Sequence, residues 1–420
     1  MKVFKFGGAS VSQIDRMENV GKILTGYKNE KILIVVSTIG KTTNALEKVT
    51  EAFYAGNREE AIQLFRQVKR THLDMSKYLL VKTALAAEER LESFFTEVEW
   101  LLHDKPVRDY DYYYDQVVSI GELLSTTIFS AYLTEIGLNN TWIDVRDIFR
   151  TDDNFREAVI DWQYTEKQVR EKISPLFDKF SFVVTQGFIG STDENESTTL
   201  GREGSDYSAA VFANLLNAES QTIWKDVEGV MNADPKFQKD AVILKELNYD
   251  EVIEMAYYGA QVIHPKTIKP LQNKNIPLLV KCFLDASLPG TVIHNNHVHG
   301  LPPIIIWKHQ QVLIDLHSKD FSFVSEKPVS EFYMMLSSLK LKPNLMQTGA
   351  VTIHVCLDDN IEKLDKLAMA ASGQFDVNIQ KDLTLLTIRH YTTETIEKLS
   401  GGRKILLRQQ TPETLQLLLQ

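Results

Sequence analysis

Short apolar runs and longer amphipathic stretches alternate along the first part of this chain. Residues 3–6, 31–36, 141–145, 180–185, 221–225 and 276–283 read as strands. The run KILIVV at 31–36 lacks polar alternation, as expected of a strand covered on both faces. Residues 11–27, 165–178, 207–217 and 249–259 carry helical patterns. Residues 45–104 are helical, charged and poor in glycine, which suggests an insertion or flank covering a sheet. Residues 116–133 form an apolar helix interrupted by Gly121-Glu122. Pro289-Gly290 and Asn295-Asn296 mark a boundary. From Leu301 the texture changes. Short strands at 304–306, 311–316, 350–357, 383–389 and 404–408 alternate with helices at 329–339, 360–369 and 412–419. Two ferredoxin-like βαββαβ units fit that alternation.

At 420 residues the chain is long enough for two or three domains. With 44% hydrophobic and 24% charged residues the composition is that of a globular protein. A formal net charge of -10 argues against a nucleic-acid-binding surface, which needs clustered Lys and Arg. Cys282 and Cys356 lie far apart in apolar runs and read as reduced, buried thiols without metal-ligand spacing. The start MKVFKFGG has no signal-peptide h-region and no apolar run approaches membrane-spanning length, so a cytoplasmic location without membrane contact is expected.

The chemistry gathers in residues 185–206, TQGFIGSTDENESTTLGREGSD. A strand runs into a glycine-bearing loop and then a helix, and a helix N-terminus offers free N–H groups and a favourable dipole to an anion. Arg202 adds a forked cation suited to a carboxylate or phosphate. Asp206 falls in the helix's first turn, where a carboxylate is locally favourable. Taken singly, Gly201 and Gly204 need only shape a turn. In KFGGAS, Lys5 before Gly7-Gly8 could bring an ammonium and bare N–H groups onto one phosphate. Thr43 at the opening of a helix fits a Ser/Thr helix cap. Glu122, in apolar surroundings, must face solvent or meet a cation. His72 and His103 read as solvated helix residues, His264 as a packed structural one, and the aromatic, acidic stretch DYDYYYD at 109–115 as a solvated loop.

The run TQGFIG…TTLGREGSDYSAA resembles the substrate and catalytic loop of aspartokinases, in the amino acid kinase family. Other segments match in the same order. KFGGAS is similar to the family's KFGGTS, with Ala9 in place of Thr. The segment at 37–44 has the family's serine at a strand end and Thr-Asn opening a helix, and GELLST occurs at 121–126. KDVEGVMNADPK resembles TDVPGIYTTDPR, with Lys225 and Met231 as departures. GAQVIHP resembles GAKVLHP, with Gln261 replacing a lysine that would touch ATP phosphate; Lys266 is a candidate to compensate.

The resemblance implies a three-layer αβα amino acid kinase domain over residues 1–295, its helical segment near 45–115. It further implies a pair of ferredoxin-like α+β ACT domains over 300–420, one inserted into the other, that dimerise and sense an amino-acid effector. Residues 318–321 and 344–352 fall at the usual effector corner. The implied reaction is phosphorylation of L-aspartate by Mg-ATP. Lys5 and Asp206 would be catalytic. Ser37, Thr43, Glu122, Phe188, Arg202 and Ser205 would bind aspartate, Arg202 through its α-carboxylate and Glu122 through its ammonium. Lys5, Phe6, Gly7, Gly8, Lys225, Asp226, Met231, Lys236, Gln261 and Val262 would bind ATP. No protein side chain is expected as a dedicated metal ligand, because magnesium is usually held by phosphates and water. Walker A, HRD and DFG motifs are absent, which disfavours other phosphoryl-transfer classes. The rivals are a kinase for a related amino acid such as glutamate, and a non-catalytic regulator kept for its ACT pair. The end at Gln420 leaves no room for a fused dehydrogenase domain, so a monofunctional aspartokinase is expected.

Overall fold

In the computed structural model, which describes residues 1–420, the apolar runs of the N-terminal region assemble into one eight-stranded sheet. The chain divides into two compact units. The first comprises Met1–Val230, Ile243–Ile253 and Ile263–His297, and the second Met231–Val242, Glu254–Val262 and Val298–Gln420.

The first unit contains β1 (Lys2–Phe6), α1 (Ile14–Thr25), β2 (Ile32–Val36), α2 (Thr42–Tyr54), α3 (Arg58–Leu79), α4 (Ala84–His103), α5 (Tyr110–Val118) and α6 (Ile120–Glu135). It continues with β3 (Asn140–Trp142), α7 (Trp162–Gln168), β4 (Phe182–Gln186), the hairpin β5 (Ile189–Ser191) and β6 (Ser197–Thr199), α8 (Gly204–Leu215) and β7 (Ser220–Lys225). Then come β8 (Glu246–Asn248), α9 (Tyr249–Tyr258), which runs on into the second unit, α10 (Pro265–Gln272), β9 (Leu278–Cys282) and β10 (Thr291–His294). The sheet order is β3-β4-β2-β1-β7-β9-β10-β8, parallel except where β10 runs against β9.

Side-chain alternation on β1 assigns the two faces. Phe6 lies 6.4 Å from Phe129 of α6, centroid to centroid, whereas Lys5 meets Asp206 of α8. Every residue of β2 and β4 is buried, which explains the apolar ILIVV of β2 and FVV of β4; the polar Thr185 and Gln186 that end β4 are buried with them. The order 4-2-1-7 brings the carboxyl ends of β1, β2, β4 and β7 to one edge, with Phe6 beside Val36 and Trp224, and Val36 beside Gln186. Crevices at that edge are where open α/β sheets bind ligands.

Several expectations are corrected here. The segment at 109–115 is not a solvated loop: it enters α5, and Tyr113, Tyr114 and Asp115 are buried. The break between α5 and α6 falls at Ser119, not at Gly121-Glu122, and Gly121 packs against Thr38 instead. The helical stretch Tyr110–Glu135 is long and apolar enough by composition to cross a membrane, contrary to the sequence reading; 89% of its most apolar window is buried within this fold, as in a core helix. His72 is buried, its Nδ1 bonded to the Val68 carbonyl at 2.8 Å and its pKa lowered to about 4 by burial, while His103 is exposed. Residues 165–178 wind through α-, π- and 3-10-helical turns rather than one helix. Pro289-Gly290 turns β9 back into β10, and the first unit ends at His297, beside Asn295-Asn296; Gly290, at φ +75°, would place a Cβ 2.3 Å from the Val280 carbonyl.

The second unit is an antiparallel six-stranded sheet, built from β11 (Ile304–Ser318), β12 (Leu345–Thr348), β13 (Thr352–Asp358), β14 (Phe375–Arg389), β15 (Ile405–Gln410) and β16 (Thr414–Leu419). Its helices are α11 (Glu326–Ser338), α12 (Ile361–Ala371) and α13 (Thr393–Ser400). The order is β12-β13-β11-β14-β16-β15. β11 and β14, each 15 residues long, pair along nearly their whole length. The two strands expected at 304–316 are therefore one strand, bulged around Gln310, which has φ 54°. One core packs Phe332, Leu336, Leu364 and Leu367 of α11 and α12 on Val312, Ile314, Ile353 and Val355. A second packs Ile396 and Leu399 of α13 on Leu386, Ile388, Leu415 and Leu417. The helix expected at 412–419 is corrected to β16, whose TLQLLL is buried on both faces. α13 was not anticipated.

Candidate active site

Lys5 is the polar residue near the carboxyl end of β1, whose other lysine, Lys2, begins the strand. Lys5 Nζ lies 2.6 Å from Asp206 Oδ1, both side chains largely buried. Asp206 occupies the first turn of α8, where the helix dipole favours its charge. Gln221 Nε2 donates to the Asp206 carbonyl at 3.4 Å and ties that turn to β7.

The Gly7-Gly8 turn leaves β1 directly above this pair. A Cβ on Gly8 would sit 2.7 Å from the Thr38 carbonyl oxygen and 3.0 Å from that of Gly40, so only glycine lets the turns after β1 and β2 approach so closely. The Gly40 N–H donates to the Gly8 carbonyl at 3.2 Å, locking the two turns together. Lys5 Nζ is 3.4 Å from where a Gly7 Cβ would lie, which sets the ammonium against the glycine backbone.

The turn after β2 begins at Ser37 and leads into α2, whose second residue is Thr43. Thr43 Oγ1 is 3.0 Å from Thr38 Oγ1, and Ser125 Oγ donates to the Ser37 carbonyl at 2.8 Å, so α6 and this turn are joined. Glu122, one turn earlier on α6, is buried. Its Oε1 accepts a long bond of 3.4 Å from Ser37 Oγ, and its Oε2 has no partner. Burial pushes its carboxyl up to about 8, against the opposing pull of the Lys5 ammonium and the Ser37 hydroxyl.

The third wall comes from the loops after β4 and β6. Phe188 has φ 70°, costly for a bulky residue. Its N–H donates to Ser208 Oγ at 2.9 Å, and its carbonyl accepts the Leu200 N–H at 2.8 Å, which holds the strained backbone in place. Gly187 and Gly204 allow this loop to lie on the start of α8: Cβ atoms there would meet Ser205 Cα at 2.6 Å and Phe188 Cδ2 at 2.7 Å. Ser205 is thus buried under the loop. Glu203 precedes α8 in the left-handed region, φ 54°, and its Oε2 accepts the His264 N–H at 2.9 Å. Arg202, beside it, is exposed, and no hydrogen bond or ion pair holds its guanidinium.

The structure therefore brings together Lys5, Phe6, Gly7, Gly8, Ser37, Thr43, Glu122, Phe188, Arg202, Ser205 and Asp206 within the first unit, on the loops and helix ends at one sheet edge. Lys225, half-buried, and Asp226, exposed, end β7 at the same edge. Met231, Lys236, Gln261 and Val262 belong to the second unit. Lys266 Nζ donates to the Leu200 carbonyl at 3.0 Å and lies 5.2 Å from the Tyr207 ring centroid, so its charge is engaged beside the Arg202 loop. His264 caps α10 with Nδ1, as a structural residue would. Sequence reasoning missed Thr38, Gly187, Ser208 and Asp115. Nothing local marks them, because their partners are distant in the chain.

Comparison with known proteins fits this geometry. The family described as "Amino acid kinase family" matches residues 1–282. The lysine-sensitive aspartokinase 3 of Escherichia coli (strain K12) is 31% identical over 359 residues, covering 85% of this chain and 78% of that protein. The chloroplastic aspartokinase 3 of Arabidopsis thaliana is 33% identical over 391 residues, covering 87% and 69%. The crystal structure of E. coli aspartokinase III in complex with aspartate and ADP (R-state) superposes with a TM-score of 0.83 at 27% identity, over 100% of this chain and 96% of that one. With the glycine turn after β1, the loop before α8 and the sheet order in place, this chain belongs to the amino acid kinase family, among its aspartokinases.

Proposed function

We propose that this chain is an aspartate kinase, transferring the γ-phosphoryl group of ATP to the side-chain carboxylate of L-aspartate to give 4-phospho-L-aspartate and ADP, the first step toward lysine, threonine and methionine. The observation that carries this reading is Glu122. A buried carboxylate with one unpartnered oxygen, in the same crevice as the Lys5–Asp206 pair, suits the ammonium of an amino acid.

Arg202, exposed and unpaired, would clamp the α-carboxylate bidentately. Thr43, Ser37, Phe188 and Ser205 would line the rest of the amino-acid site and leave the side-chain carboxylate directed at the phosphate. Lys5 and the Gly7-Gly8 backbone fit a polyphosphate, since ammonium and glycine turn lie against each other. Asp206 would hold the Lys5 ammonium in place. Phe6, Lys225, Asp226, Met231, Lys236, Gln261 and Val262 would serve the nucleotide. Mg²⁺ entering with the nucleotide would neutralise phosphate charge, with Asp206 the nearest carboxylate to the Lys5 ammonium. The substrate carboxylate is ionised at neutral pH. It attacks phosphorus as the bond to the ADP oxygen breaks, so no general base is required and the protein's task is positioning and charge stabilisation.

On this reading the second unit is an ACT pair that forms a homodimer and offers an amino-acid effector site, and the enzyme works in the cytoplasm. The test is ADP release from Mg-ATP with L-aspartate, L-glutamate or no acceptor, with lysine and threonine added separately. Aspartate-dependent turnover is expected. Glutamate-dependent turnover would favour the related kinase, and no turnover with either acceptor would favour a non-catalytic regulator.

A further inference from the structure

The DYDYYYD stretch has no place in the chemistry above, yet its last residue is among the most enclosed charges in the first unit. Asp115 of α5 is fully buried. Its Oδ2 accepts the Thr199 N–H at 2.7 Å and the Arg156 N–H at 2.9 Å, and its Oδ1 accepts the Thr199 hydroxyl at 2.7 Å. The next residue repeats the device: Gln116 Nε2 donates to the Ser197 carbonyl at 2.8 Å, and Gln116 Oε1 accepts the Ser197 N–H at 3.1 Å. On its other edge β6 pairs with β5. Two adjacent side chains of α5 thus satisfy residues 197 and 199 of β6 as a neighbouring strand would.

β6 leads directly into Leu200-Gly201-Arg202. Arg156, held by Asp115, sits in the left-handed region at φ 69°, and its carbonyl would lie 3.1 Å from a Cβ on Gly201, itself at φ +75°. A non-glycine residue in that region stays only where its surroundings over-determine it. One residue before Asp115, α5 is anchored to α2, the helix that carries Thr43, through the Tyr114 hydroxyl donating to Glu47 Oε1 at 2.8 Å. The Arg156 guanidinium lies 4.4 Å from the Tyr114 ring centroid and pairs with Asp111 at 3.1 Å.

We propose that Asp115 is a positioning residue for the amino-acid substrate: by gripping Thr199 and Arg156 it sets where the Arg202 guanidinium stands, without touching substrate or nucleotide. This rests on the aspartate-kinase reading. It requires an acceptor toward the two N–H groups, and the carboxylate's charge strengthens all three bonds. An amide could accept both N–H groups on its one oxygen and donate to the Thr199 hydroxyl, but without the charge that strengthens these bonds.

Steady-state kinetics at pH 8 on the full-length protein tests this with Asp115→Asn, Thr199→Val and Thr199→Ser. Asp115→Asn and Thr199→Val are expected to raise the KM for L-aspartate about tenfold, the first by removing the charge behind three hydrogen bonds and the second by losing one hydrogen bond to a charged group. The KM for ATP should stay within about twofold and kcat at saturating aspartate within about threefold, because the phosphate turn is untouched. Thr199→Ser keeps the hydroxyl and should restore the wild-type aspartate KM. If Asp115→Asn does not fold, the two Thr199 variants carry the test. Unchanged aspartate KM in Thr199→Val, or a parallel loss in kcat and both KM values, would overturn the positioning role while leaving aspartate turnover by the wild type intact. Absence of aspartate-dependent turnover in the wild type would overturn the functional reading and this proposal together.

Discussion

Lys5 Nζ and Asp206 Oδ1 lie 2.6 Å apart, joining the strand at the centre of the sheet to the first turn of α8. Both side chains are largely shielded, so the pair holds an ammonium at the foot of the glycine turn in one orientation. Fixed charge at the position where phosphate charge develops is the largest contribution a phosphoryl-transfer site can make.

Removing the ammonium while keeping its stem separates catalysis from packing. Lys5→Met is expected to lower kcat by roughly 10³-fold or more. Thermal unfolding and circular dichroism would establish that the variant is folded; a wild-type rate in a folded Lys5→Met protein would refute the phosphate assignment.

Arg202 has no intramolecular partner to lose. Arg202→Ala should therefore leave the Tm unchanged and raise the KM for L-aspartate by roughly 10²-fold, the loss of a bidentate charged contact. ATP affinity, measured by titration calorimetry with a non-hydrolysable analogue, should be nearly intact. Unchanged aspartate kinetics would remove Arg202 from the substrate site.

Glu122 yields a pH prediction with a definite sign. Burial raises its folded-state value from 4.5 to about 8, so the protonated form is favoured in the folded protein without substrate. Stability from this group is full below the unfolded value and is lost as pH rises through about 8. The substrate-free protein should show a falling Tm between about pH 5 and 8, a slope that Glu122→Gln flattens. Aspartate binding requires the charged form to pair with ammonium. Binding should therefore release protons near pH 7, seen as buffer-dependent heats in calorimetry, and the release should vanish in Glu122→Gln along with most of the affinity. Buffer-independent heats in the wild type would contradict the ammonium role.

Gly8 tests the geometry of the phosphate turn. In Gly8→Ala the added methyl would stand 2.7 Å from the Thr38 carbonyl oxygen and 3.0 Å from that of Gly40, both backbone atoms that cannot rotate aside. The turns must separate, and the expected results are a rise of about tenfold or more in the KM for ATP and a Tm lowered by a few degrees. Wild-type ATP kinetics would show that the turn does not hold phosphate.

The sequence by itself determined the parts whose cause is local. Continuous apolar runs such as 31–36 had to be buried on both faces, and glycine-bearing turns after strands, followed by helix starts, marked Lys5, Gly7, Gly8, Arg202 and Asp206. Glu122 was marked too, because a carboxylate among apolar residues must face solvent or meet a cation. Tertiary structure alone decided the rest. A run such as TLQLLL at 414–419 satisfies helix and buried strand alike, and only the free edge of β14 made it β16. DYDYYYD looked solvated because charge and hydroxyls usually are. Its burial depends on Thr199 and Arg156, whose N–H groups reach Asp115 only after the sheet has formed. Likewise Lys266 found the Leu200 carbonyl, and His72 the interior of a helical layer. A polar side chain carries no local record of its partner, and burial of charge is settled where distant segments meet.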